Sequence, residues 1–189
     1  MIYHTILCLG DSLTYPARCD YFWGFPQFMA WKIREDLNED VFVVNKGVNG
    51  ETSSDLLFRA YDVIKEYPDV SVVTVIIGTN DTKINLPLWV YEKNIFQIVR
   101  IAKMFDKKVV LGTLPLIRSY GQPSFSACCD EIRKKYNKAI IRISKREKVS
   151  VVRVDMAITH NELVDGLHFS TNGCRIVGRL FAEKMKELR

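Results

Sequence analysis

Strands and helices take turns along this sequence. Five short β-branched runs, TILCL (5–9), VFVVN (41–45), VSVVTVII (70–77), KVVLGT (108–113) and VSVVRV (149–154), each read as a buried strand. Between them lie segments with apolar residues at helical spacing, near 25–38, 52–66, 88–105 and 128–147, and a last one near 171–188. Strands that alternate with helices must run parallel, because each crossover helix carries the chain back over a sheet face. Strands that are apolar at nearly every position are buried on both faces. The pattern therefore predicts a three-layer α/β/α sandwich around a five-stranded parallel sheet.

At 189 residues the chain fits one domain, 1–189, since single domains hold about 100–200 residues. The segments between the elements hold no repeat, linker or low-complexity tract. Helix starts carry recognisable chemistry: Thr52 with Asp55 three residues on reads as a capping box, Ser170 or Thr171 can cap the last helix, and Pro87 suits the turn before Leu88. In the basic helix EIRKKYNKAIIRISKREK, Ile132, Tyr136, Ile140 and Ile143 share one face. Arg133, Lys134, Lys138, Arg142 and Lys145 fall largely off it and read as a solvated surface.

A net charge of +5, with no interleaving of aromatic and basic residues, is mild for a chain that grips phosphate backbones, so nucleic acid is not an expected partner. The five cysteines, Cys8, Cys19, Cys128, Cys129 and Cys174, are odd in number and lack paired or metal-ligand spacing; they read as reduced thiols. No apolar run reaches the roughly eighteen residues of a membrane span, and the start of the chain shows no basic leader or cleavage site. The expectation is a cytoplasmic chain without stable membrane insertion.

In open α/β sheets ligands bind outside the carboxyl ends of the strands. The residues there are unusual. Gly10-Asp11-Ser12 follows the first strand, NKGVNGETS with Gly50 follows the second, Gly78-Thr79-Asn80-Asp81 follows the third, and DGLHFSTNG with Asp165 and His168 follows the fifth. The fourth turn offers only Arg118 and Ser119.

These pieces suit one reaction. A serine hydroxyl becomes a nucleophile when an imidazole takes its proton, and a carboxylate fixes that imidazole's tautomer. Ser12, His168 and Asp165 supply the three groups. The oxyanion formed on attack at an acyl carbon needs preorganised donors, for which the Ser12 N–H, the Gly50 N–H and the Asn80 amide are candidates. Asp11 reads as a support that ties the turn by accepting nearby N–H groups. Asp155 is a rival to Asp165 as the orienting acid; His4, before the first strand and at the end of the sheet away from the site, reads as structural, and His160 has no evident role.

The four stretches LGDSLT, NKGVNGETSSDLL, IIGTND and DGLHFSTNG, in this order across residues 9 to 173, resemble the GDSL or SGNH hydrolase family, whose second name lists Ser, Gly, Asn and His. The resemblance implies a flavodoxin-like topology and Ser12 as nucleophile. His168 becomes general base and acid, Asp165 the orienting acid, and Ser12, Gly50 and Asn80 the oxyanion donors. It implies hydrolysis of esters or thioesters with no metal or cofactor. Two positions depart from the usual pattern: Phe169 follows the His where proline is common, and Tyr15 stands where many members have glycine.

The expected substrate is a small-molecule ester, with short-acyl or O-acetyl esters of carbohydrate or another small molecule first and lysophospholipids or thioesters as an alternative. A noncatalytic phosphate- or flavin-binding module on the same sheet is the reading from another class, against which the carboxylate of Asp11 in the first turn counts. Tyr15, Tyr21, Phe22 and Trp23 on one side and Leu86 and Trp89 on the other are candidate walls of a substrate pocket. Phe25, Phe28, Met29 and Trp31 read as helix packing.

Overall fold

A computed structural model describes residues 4–19, 23–118 and 123–188. Its strands are β1 (His4–Gly10), β2 (Val41–Gly47), β3 (Val70–Ile76), β4 (Lys108–Gly112) and β5 (Ser150–Val152), all parallel, in the order β2-β1-β3-β4-β5. This is the doubly wound order in which the first strand lies inside the sheet and the chain reverses direction between β1 and β3. β1 lies inside the sheet and helices cover both faces, so Ile6, Leu7, Cys8 and Leu9 are all buried although they point alternately to opposite faces. Burial of such side chains is worth about 1.5–3 kcal/mol each.

The helices are α1 (Phe25–Leu37), α2 (Ser53–Glu66), α3 (Thr79–Lys83), α4 (Leu88–Met104), α5 (Pro123–Glu147), α6 (Val154–Ala157) and α7 (Thr171–Lys186), with a short 3₁₀ turn at His160–Glu162. They cover both faces of the sheet. α1 packs on α7, where Phe25 and Phe181 stack at 5.1 Å, while α4 lies between α2 and α5. Tyr91 of α4 stacks on Tyr136 of α5 at 3.9 Å, and both hydroxyls are satisfied, by Ile77 O at 2.8 Å and Leu86 O at 2.5 Å. Among the described residues no helix is long and apolar enough to cross a membrane.

The caps follow the local chemistry. Thr52 accepts from the Asp55 N–H at 3.3 Å while Asp55 accepts from the Thr52 N–H at 2.9 Å, and Ser170 accepts from the Gly173 N–H at 3.1 Å. These bonds satisfy donors that the first helical turn leaves open.

Three sequence expectations need correction. α5 begins at Pro123, five residues before the predicted start at 128. β5 ends at Val152 and not at 154, because the Asp155 N–H and carboxylate both bond the Thr113 hydroxyl, at 3.0 and 2.6 Å, and the chain turns into α6. Arg133 is not solvated. It is 8% exposed, with Nε 2.6 Å from Asp130 Oδ1 and Nη1 donating to Leu114 O at 3.3 Å. A loop packed over the helix buries that position, which helical periodicity alone does not register.

Candidate active site

The site lies at the carboxyl ends of β1, β2 and β3, joined there by the segment between the 3₁₀ turn and α7. β1 delivers Ser12. The turn after Gly10 is held by Asp11, whose carbonyl accepts the Thr14 and Tyr15 N–H groups at 3.1 and 2.9 Å and whose Oδ1 accepts the Leu13 N–H at 2.9 Å. From β2, Asn45 donates to Thr14 O at 2.8 Å and accepts the Gly47 N–H at 3.0 Å, which seats this turn on the end of the neighbouring strand.

Ser12 Oγ is 3.0 Å from His168 Nε2, and His168 Nδ1 is 2.7 Å from Asp165 Oδ2. Asp165 Oδ1 also accepts the backbone N–H groups of His168 and Leu167 at 2.8 and 3.1 Å. Burial raises the Asp165 pKa, but these N–H donors and the facing imidazole outweigh it and hold the carboxyl below its ordinary value. An ionised Asp165 keeps the proton of a neutral His168 on Nδ1 and leaves Nε2 able to accept from Ser12. Arg18 Nε lies 3.7 Å from Asp165 Oδ2 on the exposed side.

Gly166 lets this segment fold. Its φ is +77°, and a Cβ there would meet Arg118 O at 1.5 Å, while its carbonyl accepts the Arg118 N–H at 2.6 Å. Only glycine accepts both the left-handed backbone and that approach. The rival acid, Asp155, faces elsewhere: Arg153 forks onto its two oxygens at 2.8 and 2.9 Å. His160 is exposed on the 3₁₀ turn, and His4 opens β1 at the opposite edge of the sheet.

Opposite Ser12, the loop after β2 and the first turn of α3 are stitched into one wall. Gly50 sits at φ +81° with open space around its Cα, and neither its N–H nor that of Ser12 makes a hydrogen bond among the described residues. The Asn80 amide donates one N–H to Glu51 O at 2.8 Å, which leaves its second N–H free of that contact. Arg59 forks onto the Glu51 carboxylate at 2.7 and 2.7 Å and donates to Lys46 O at 2.7 Å, bracing the loop between β2 and α2. Beneath it, the fully buried Asp81 accepts the Ser53 N–H at 3.1 and 2.9 Å and the Ser53 hydroxyl, while Asn94 donates to Ser53 Oγ at 3.0 Å. Asn45, Arg59, Asp81 and Asn94 were not singled out from sequence. Only Asp81, next to Asn80 in a strand-end turn, carried a local signal.

Residues 8–176 match the GDSL-like lipase/acylhydrolase family. The chain belongs to that family. By family it is a carboxylic ester hydrolase. Solved structures share this GDSL fold: an acetylxylan esterase, Axe2, from Geobacillus stearothermophilus (22% identity, TM-score 0.78, 96% of this chain and 94% of that one) and an aryl esterase from M. smegmatis (19%, 0.81, 98% and 100%). A third is the psychrotrophic esterase EstA from Pseudoalteromonas sp., inhibited by monoethylphosphonate (20%, 0.77, 98% and 98%). A stretch of 77 residues is 31% identical to an uncharacterised protein of Mycoplasma pneumoniae, taking in 40% of this chain but only 9% of that protein's length.

Of the candidate pocket walls in this GDSL chain, Tyr15, Trp23 and Trp89 are 39%, 48% and 68% exposed, and Leu86 is half-buried. Trp23 packs edge-on to Phe28 of α1 at 5.6 Å. Tyr21, Phe22 and Ser119 lie outside the described residues. An apolar pocket of about 120 Å³ lined by Ile6, Ile33, Val41 and Met185 sits at the amino-terminal edge of the sheet and contains none of the site residues.

Proposed function

We propose that residues 1–189 act as one serine esterase domain that cleaves short-acyl esters, with O-acetylated carbohydrate as the leading substrate class. The hydrogen-bonded chain from Ser12 Oγ through His168 to Asp165, at 3.0 and 2.7 Å, carries this reading. Ser12 Oγ attacks the acyl carbon as His168 Nε2 takes its proton, and Asp165 supports the imidazolium. The oxyanion is received by the Ser12 and Gly50 N–H groups and the Asn80 amide. His168 then protonates the departing alcohol, and water clears the acyl-enzyme by the same route. Asp11 supports the turn that presents Ser12.

The open surroundings of Gly50 favour a shallow site and a small acyl group. The acetylxylan esterase among the similar structures is consistent with an acetylated sugar. In the proposal Tyr15 and Trp23 flank one side of the substrate and Leu86 and Trp89 the other.

Intact-mass spectrometry after treatment with a fluorophosphonate tests the reading. One adduct that maps to Ser12 and is absent from Ser12→Ala is expected, with activity highest on acetyl esters in a panel graded by acyl length. No adduct on folded protein defeats the nucleophile assignment; preference for long acyl chains or acyl thioesters defeats only the substrate class.

A further inference from the structure

Cys19 and Cys174 are 155 positions apart in sequence, yet their sulfurs lie 2.7 Å from each other. Cys19 belongs to the loop that follows Ser12 and is half-buried; Cys174 is in the first turn of α7 and 1% exposed. The Cys19 thiol also donates to Phe169 O at 3.6 Å, one residue beyond His168, and its neighbour Arg18 reaches Asp165. The contact thus joins the two segments that carry Ser12 and His168. Elsewhere Cys8 is buried in β1 with its thiol pushed up to about 12 by burial, the Cys129 thiol contacts Thr82 O at 3.7 Å, and Cys128 is exposed.

We propose that Cys19 and Cys174 are an oxidisable pair, a modification site at which a small disulfide oxidant forms a bond bracing the Ser12 loop against the His168 segment. A protein disulfide needs its sulfurs at about 2.05 Å, so closure from 2.7 Å asks for a shift well under an ångström. Order of reaction follows from exposure. The hydrogen bond with Cys19 and burial both raise the Cys174 pKa, which leaves Cys19 as the thiol that meets solvent.

The Cys19 thiolate attacks one sulfur of glutathione disulfide, that S–S bond breaks, and one glutathione thiol leaves with a proton equivalent to the one Cys19 lost. The Cys174 sulfur then attacks Cys19 Sγ and expels the second glutathione as a thiol carrying the Cys174 proton. Two protein thiols are oxidised, and one glutathione disulfide is reduced to two thiols. The bridge closes a loop spanning most of the chain, which restricts the unfolded ensemble and raises the melting temperature.

The test incubates the purified full chain with glutathione disulfide or with dithiothreitol, alkylates under denaturing conditions, and maps peptides by mass. Of five cysteines, three are expected to alkylate after oxidation, with one crosslinked peptide pair containing Cys19 and Cys174 and a melting temperature several degrees above that of reduced protein. Cys19→Ser is expected to remove both the crosslink and the shift. Five alkylated thiols after oxidation, a persistent glutathione adduct on Cys19, or a crosslink through Cys128 would each overturn the proposal in the wild-type chain itself. Neither readout depends on ester hydrolysis.

Discussion

The Asn80 amide donates to the Glu51 carbonyl at 2.8 Å, so the first turn of α3 and the loop after β2 share a hydrogen bond at the point where each carries a proposed oxyanion donor. The bond consumes one amide N–H and fixes the direction of the other. Removing the side chain therefore deletes a donor and loosens its neighbour. Asn80→Ala is expected to lower kcat by about 100- to 1,000-fold, the usual cost of one oxyanion donor. Initial rates on p-nitrophenyl acetate measure this, and a loss expressed mainly in KM would contradict it.

In the proposed mechanism Asp165 acts on Ser12 only through His168. Asp165→Asn preserves shape but permits the wrong imidazole tautomer, so kcat is expected to fall by about 10,000-fold, as tautomer loss does in serine hydrolases of this logic. Asp155→Asn is expected to leave the rate within about threefold, since Asp155 binds Arg153 and Thr113. Rates of the two purified variants, compared side by side, separate the two acids.

Asp81 touches none of the proposed reacting groups and is a positioning residue. Asp81→Asn leaves the Ser53 hydroxyl and N–H with a weaker acceptor at the start of α2. A fall in kcat of about tenfold or more, with KM nearly unchanged and fluorophosphonate labelling of Ser12 retained, is expected if the clamp aligns the oxyanion donors. A variant with lower thermal stability but wild-type kcat would reduce Asp81 to a purely structural role.

Burial pushes the Asp11 pKa from 3.8 to about 7, the Leu13 N–H opposes this, and nearby Asp81 adds to it. Asp11 Oδ2 is buried without a hydrogen-bond partner among the described residues. Because the folded chain then holds this proton more tightly than the unfolded one, the Asp11 contribution to stability declines as pH rises from about 4 to 7. Asp11→Asn lacks the ionisation. Urea unfolding at pH 5 and pH 8 should show the wild type losing stability relative to Asp11→Asn at the higher pH; a constant difference would refute the burial effect.

Element order was written in the sequence because strand and helix periods are local properties: neighbouring residues set them, and the β-branched runs and the Thr52 and Ser170 caps are nearest-neighbour chemistry. The strand-end residues Ser12, Gly50 and Asn80 stood out for the same reason, since polar turns directly after buried strands have few structural uses, while Asp165 and His168 stood out through the family block that carries them. The spacing of Asp165 to His168 in the family block favours Asp165 over Asp155 as the acid that faces the imidazole, and the structure puts its Oδ2 2.7 Å from His168 Nδ1. Decided only in three dimensions were the packing of Arg133 against the Leu114 carbonyl, the Asp81–Ser53 clamp and the meeting of Cys19 with Cys174. Each joins residues brought together by the strand order β2-β1-β3-β4-β5. Contacts of that kind depend on how the chain crosses the sheet, and no spacing within one segment encodes them.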